Sequence, residues 1–255
     1  MVKIAWCAGH GLNTAGKQTP DGEKEWKFND IVGLSFQNEI NKYQNVELKR
    51  MDDPTGKTDV SLKTRTDSAN KWGADYYISF HHNANTSKWG TWTGVETFTY
   101  TNPQDKSKSL AAAIHPALVK GYGLKDRGIK QGNLHIVRET KMPAILVEGG
   151  FMDSTIDIKV LRDSNKLKNV GVLIAQALAK HLNLKLKVVE TSKTQNPVSN
   201  TNHAKISQDT MKVEAIKEIK AAVADGRFTS KHEDVENYDL DTLKNYAYIA
   251  LLRRK

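Results

Sequence analysis

Residues 143–151 read Pro143-Ala144-Ile145-Leu146-Val147-Glu148-Gly149-Gly150-Phe151. A short apolar run with Ile145 and Val147, set between a proline and two glycines, suits a strand buried on both faces. A carboxylate closing such a strand costs stability unless a metal, a partner or a function retains it. Glu148 is therefore a candidate functional residue as well as the end of a structural element.

Working outward, similar short runs at 2–6, 45–50, 76–80, 94–100 and 134–137 predict further strands. Between them lie helical patterns at 26–43, 62–72, 106–121 and 170–182. In the first of these, Phe28, Ile31, Val32, Phe36 and Ile40 fall on one face. Strands separated by helices of this length predict an α/β sheet covered on both faces. The pattern breaks after Lys187. TSKTQNPVSNTNH, residues 191–203, is polar and aperiodic and reads as part of a linker over 188–204. Residues 205–255 then form a small all-α module. One helix carries Met211, Ala215, Ile216, Ile219, Ala222 and Val223, and a second helix spans 240–251. So small a core is marginal alone, which points to self-association or docking.

The 255 residues include 38 Lys and Arg against 29 Asp and Glu, a net +9, with a single cysteine, Cys7. One cysteine excludes an intramolecular disulfide framework and paired-thiolate zinc fingers. The positive excess sits in residues 1–187, with 27 basic against 19 acidic residues; the remainder holds 11 against 10. Such a field attracts polyanions, whether nucleic acid, lipid headgroups or anionic wall polymers, and charge alone does not choose among them. No apolar run approaches a membrane span, and the start MVKIAWCAGH lacks the pattern of a signal peptide. The expectation is a protein made in the cytoplasm; if its target is outside, it acts after release by lysis.

Open α/β sheets carry their working residues at the C-terminal ends of strands. His10 follows the first predicted strand, His81 and His82 follow the strand ending Ile78-Ser79-Phe80, and Glu148 follows its own; Glu25 opens the first helix. Two imidazoles and a carboxylate suit a catalytic zinc, which lowers the pKa of water to about 7. A second carboxylate nearby then serves as proton carrier. His10, Glu25 and His81 are the candidate ligands and Glu148 the candidate base. Each also has a plainer reading: a strand-end histidine hydrogen-bonds a loop, Glu25 faces a helix dipole, and Cys7 is a small core residue.

The chain resembles the zinc-dependent N-acetylmuramoyl-L-alanine amidases of phage endolysins and bacterial wall autolysins. The resemblance rests on Cys7-Ala8-Gly9-His10-Gly11, Glu25-Trp26-Lys27-Phe28-Asn29, Arg65 through Asp75, Ile78 through Ala84, Arg127-Gly128 and Pro143 through Phe151, in the family's order. It implies a twisted, mostly parallel sheet with helices on both faces. It also implies one Zn²⁺ held by His10, Glu25 and His81, with Glu148 catalytic. The family's usual GHGG is here Gly9-His10-Gly11-Leu12, and the loop over 11–22 is enlarged, so Glu23 competes with Glu25. Glu25 is preferred because Phe28 and Asn29 then stand at the family's offsets. His81 is preferred to His82 by the Ser-x-His-x-Asn pattern and by strand alternation.

The implied activity is hydrolysis of the amide between N-acetylmuramic acid and the L-alanine of the stem peptide in cell-wall peptidoglycan. The tail is then a wall-targeting or oligomerising module. Rival readings are a zinc peptidase acting on the stem peptide and a non-catalytic binder of anionic polymers. No nucleic-acid motif is present to favour the latter. Nothing in the sequence identifies the substrate-binding groups; Arg127, Arg138 and His135 are near the Glu148 segment only by position.

Overall fold

The computed structural model describes residues 1–187, 208–225, 235 and 243. The chain divides into two compact units, Met1–Glu190 and Thr191–Lys255. In the first, the order is β1 (Val2–Ala8), α1 (Glu25–Ile40), β2 (Val46–Arg50), α2 (Leu62–Trp72), β3 (Tyr76–Asn83), β4 (Val95–Thr99), α3 (Asp105–Tyr122), β5 (Asp126–Gln131), α4 (His135–Glu139), β6 (Ala144–Phe151), α5 (Ile158–Leu161) and α6 (Ser164–His181).

The six strands form one sheet in the order β2-β1-β3-β6-β4-β5. All neighbouring pairs are parallel except β4 with β6. That reversal matters for the site. The C-terminal ends of β1, β3 and β6 and the beginnings of β4 and β5 meet at the same edge.

Period-2 alternation divides each central strand between two cores. Ile145 and Val147 join Ile78, Phe80, Ile4 and Trp6 beneath α1, α3 and α6, whose Phe36, Ile114 and Ile174 are fully buried. Ala144 and Leu146 join Tyr77, Ala5 and Cys7 on the opposite face, covered by Ala69 of α2 and by Ile136 and Val137 of α4. The α1–α6 contact is close enough to require glycine. A Cβ on Gly171 would stand 2.3 Å from the Val32 carbonyl oxygen. Helix ends follow local chemistry: Ser61 accepts the Thr64 N–H to open α2, and Gly73, at φ 69°, closes it in the left-handed conformation.

One predicted strand is corrected. Residues 134–137 do not extend a sheet; His135–Glu139 is a single helical turn. Ile136 and Val137 are both buried there, and so short an apolar run does not distinguish the two periods. The strand that the sequence reading missed is β5. It is an edge strand paired only with β4, so Asp126–Gln131 needs no apolar run.

In the second unit, α7 (Gln208–Ala224) matches the first predicted tail helix, and Ala215, Ile219 and Ala222 are buried with Val235 and Leu243. The predicted linker and, apart from Leu243, the helix over 240–251 lie outside the described residues. Among the described residues no helix is long and apolar enough to cross a membrane.

Candidate functional site

The site is assembled from the ends of β1 and β3 and the start of α1. Leaving β1, the chain turns through Gly9 into His10, which adopts a left-handed backbone with φ 63°. Arg65 of α2 holds this turn. Its buried guanidinium donates to the carbonyls of Ala8 at 2.6 Å, His10 at 2.9 Å and Val60 at 2.8 Å. Asp52, just past β2, accepts the Ala8 N–H at 3.0 Å and the Trp26 indole N–H at 3.2 Å, tying the end of β1 to the first turn of α1.

Glu25 enters the site from that first turn and is buried. Its Oε1 lies 3.1 Å from His81 Nδ1 and accepts from the His82 backbone N–H at 3.2 Å and from Asn29 Nδ2 at 3.3 Å. Its Oε2 lies 3.4 Å from His10 Nε2. The two imidazole rings stand edge to face, with centroids 4.9 Å apart. Ligand atoms of His10, Glu25 and His81 all fall within 4.8 Å of one another. Gly9 leaves the space for this packing, because a Cβ there would be 2.1 Å from His81 Cε1. The second His81 nitrogen, Nε2, lies 3.1 Å from Ser79 Oγ, which fixes the ring's orientation.

Electrostatics follow the packing. Burial lowers the His10 pKa to about 4, against the pull of Glu25, so the imidazole is neutral at pH 7 and free to donate a lone pair. Burial works to raise the Glu25 pKa, but the His81 hydrogen bond and the charges of His81 and His10 outweigh it and keep the carboxylate ionised. Two imidazole nitrogens and one carboxylate oxygen form a donor set that fits a divalent zinc.

Glu148 stands in register with His81 across β3 and β6, and with Glu96 across β4 and β6. Its side chain therefore shares their face of the sheet. The residue keeps some exposure, yet Oε2 is enclosed and has no hydrogen-bond partner among the described residues. Burial, followed by the negative charges of Glu25 and Glu96, raises its pKa well above the ordinary carboxyl value, with Lys17 opposing. A carboxyl with one oxygen left unsatisfied and its proton held more tightly than usual suits proton exchange.

The alternatives separate cleanly. Glu23 is turned away and paired with Arg162 at 2.6 Å. His82 points to the other core, between Asn29 Oδ1 at 2.7 Å and the Tyr122 hydroxyl at 2.8 Å. Cys7 is buried beside Ser79 Oγ at 3.2 Å, outside the cluster. His115 bridges Thr97 and Asp126, His135 sits 3.4 Å from Thr66 Oγ1, and Arg138 pairs with Glu139. The sequence reading missed Asp52 and Glu96. Asp52 follows a predicted strand, the same signal that nominated His10; Glu96 interrupts the β-prone run Val95–Thr99 as Glu148 ends its own.

Such a centre has the means to hydrolyse an amide. The relatives define which amide. Residues 4–180 match the N-acetylmuramoyl-L-alanine amidase family, and the chain belongs to it. The chain is 37% identical over 187 residues to N-acetylmuramoyl-L-alanine amidase CwlM of Bacillus licheniformis, covering 72% of this chain and 70% of that protein. It is 33% identical over 192 residues to an endolysin of Bacillus phage SPP1, covering 73% and 69%. The solved catalytic domain of CwlV, an N-acetylmuramoyl-L-alanine amidase from Bacillus (Paenibacillus) polymyxa, superposes with a TM-score of 0.66 at 28% identity, covering 72% of this chain and all of that one. This protein is thus a peptidoglycan hydrolase acting on the amide between N-acetylmuramic acid and L-alanine.

Proposed function

We propose that His10, Glu25 and His81 hold one zinc ion and that Glu148 carries the proton in this hydrolysis. The observation that carries the reading is the convergence of these three donors within 4.8 Å, with Glu148 in register beside His81. Zinc bound there would polarise the scissile carbonyl and lower the pKa of water to about 7. The protein's own contribution is orientation and proton transfer. Asn29 and the His82 N–H keep Glu25 turned towards the imidazoles, Ser79 orients His81, and Arg65 fixes the turn that presents His10. The Glu148 carboxylate takes a proton from the attacking water and returns it to the nitrogen of L-alanine as the C–N bond breaks. The products are a lactyl carboxylate and a free peptide amine.

Glu148→Ala should retain zinc by elemental analysis but release peptide amino groups from purified walls at least about 100-fold more slowly. His10→Ala should lose the metal itself. Unimpaired release by Glu148→Ala would overturn the role given to that carboxylate, and full zinc occupancy in His10→Ala the role given to that histidine. Mass spectrometry of digested walls tests the bond: glycan strands bare of peptide are expected, and trimmed stem peptides would indicate a peptidase.

Residues 1–187 are proposed as the catalytic domain, and 205–255 as a module for wall targeting or self-association joined through 188–204. Deleting 190–255 should reduce co-sedimentation with walls or lower the number of chains per particle in solution; no change in either refutes the module's role. The likeness to a phage endolysin supports action on the wall after release from the producing cell.

A further inference from the structure

Beyond Glu148, counting away from the ligand cluster, the next strand carries Glu96 on the same face. Glu96 is buried and collects three donors. Asn83 Nδ2 reaches across β6 to its Oε1 at 2.8 Å, while Arg127 Nε donates to Oε2 at 2.7 Å and Lys130 Nζ to the same oxygen. Two cations thus face one carboxylate, and a positive charge is left over. Both cations remain about one-third exposed at their side chains, at 32% for Arg127 and 38% for Lys130.

Arg127 is also held in one pose. Its guanidinium lies over the Phe151 ring at 4.9 Å, and its stem packs where a Cβ on Gly94 would be 2.8 Å from its Cγ. Only Nε is engaged by Glu96, and the two terminal nitrogens make no hydrogen bond among the described residues. A pre-oriented guanidinium with its outer edge open, beside the Lys130 ammonium, matches a carboxylate.

We propose that Arg127 and Lys130 form a subsite for a carboxylate of the stem peptide, on the leaving-group side of the scissile amide. The inference rests on the amidase reading above and extends it to substrate choice. Glu148 returns its proton to the alanine nitrogen, so the departing peptide starts beside Glu148 and continues away from the imidazoles. Adjacent strands are about 4.8 Å apart, so the cations gathered on Glu96 lie roughly one to two strand spacings further on. An extended chain covers that distance in about two residues. The residue after L-alanine in stem peptides is a glutamate joined through its side-chain carboxyl, which leaves the α-carboxyl as a free acid or an amide. The subsite therefore favours the free acid.

The test compares glycan oligomers bearing L-alanyl-γ-D-glutamyl peptides whose α-carboxyl is either free or amidated. The full-length protein should show about a tenfold lower KM for the free acid, the effect of one charge-assisted contact at a partly exposed site. Lys130→Gln and Arg127→Gln should each cut that ratio to about threefold or less by raising KM for the acid, while Lys130→Arg should restore it. Lys71→Gln, an exposed charge on α2, controls for general loss of positive field and should keep the full ratio. Equal KM for the two substrates in the native protein, or an undiminished ratio in both glutamine variants, overturns the subsite while leaving the amidase reading intact. Failure to hydrolyse either oligomer, with walls also untouched, would overturn the amidase reading and the subsite together.

Discussion

Replacing Arg65 with Met tests whether the site is held by α2 as well as by its own residues. Methionine has nearly the same reach and apolar volume, so the cavity contribution is small. What disappears is three hydrogen bonds from a buried cation to the carbonyls of Ala8, His10 and Val60, and a longer one at 3.2 Å to the exposed Asp59 carboxylate, which adds little. At about 1.5 kcal/mol each, the lower figure for bonds to a charged group, the loss is roughly 4–5 kcal/mol. Relief of the guanidinium's desolvation offsets part of it, leaving about 4 kcal/mol, within the range for removing one partner of a buried charged contact. With a urea slope of about 2 kcal/mol/M, the unfolding midpoint followed by tryptophan fluorescence should fall by about 2 M. Because His10 loses the anchor on its own carbonyl, zinc affinity measured against a colorimetric chelator should fall by about 10-fold or more. A midpoint shift under about 0.5 M together with unchanged zinc affinity would refute the reasoning.

Gly9→Ala puts a methyl 2.1 Å from the His81 ring without replacing any proposed ligand; zinc affinity should drop by roughly 10- to 100-fold, and wild-type affinity would contradict the packing account. Gly171→Ala must push α6 off α1, since the new carbon would meet the Val32 carbonyl at 2.3 Å. A loss of about 2 kcal/mol is expected in urea titration, and a gain would show that the helices separate freely. For Glu96, burial raises the pKa, but hydrogen bonds from Lys130 and Arg127 and their charges outweigh it, so the folded value lies below the usual 4.5. A lowered folded pKa means that this group stabilises the fold above pH 4.5 and that the contribution fades as pH falls through the folded value. Glu96→Gln should accordingly lose less stability than the native chain between about pH 6 and about pH 3.5, by urea midpoints, and an equally steep loss would refute the sign.

The central strands were legible because both their faces are buried: Ile78 and Ile145 needed no period to betray them. Helix α2 was read to the residue, since Ser61 and Gly73 carry capping chemistry in their own side chains and backbone. β5 was not legible, because an edge strand with charged residues looks like a loop, and α4 was too short to show a period. His10, Glu25, His81 and Glu148 could be nominated from their places after strands and at a helix start, with the family resemblance choosing between neighbours. The partners that hold them were harder. Nothing in the local sequence of Arg65 reveals that it reaches three carbonyls, two of them more than fifty positions away. Asp52 and Glu96 did carry a signal, a carboxylate at a strand end or inside a β-prone run.

The reversed direction of β4 has a practical consequence for protein engineering. The imidazole donors follow β1 and sit on β3, the glutamate donor is on α1, and the paired cations are on β5; in the sheet β6 and β4 lie between the two groups, with Asn83 of β3 reaching across to Glu96. The stretch from 84 to 131, which supplies β4, α3 and β5, brings those cations as one continuous segment, while Leu110, Ile114 and Leu118 of its α3 belong to the core shared with α1 and α6. Exchanging this segment between homologues, with the core-facing side chains of α3 kept, offers a way to retune which peptides are accepted.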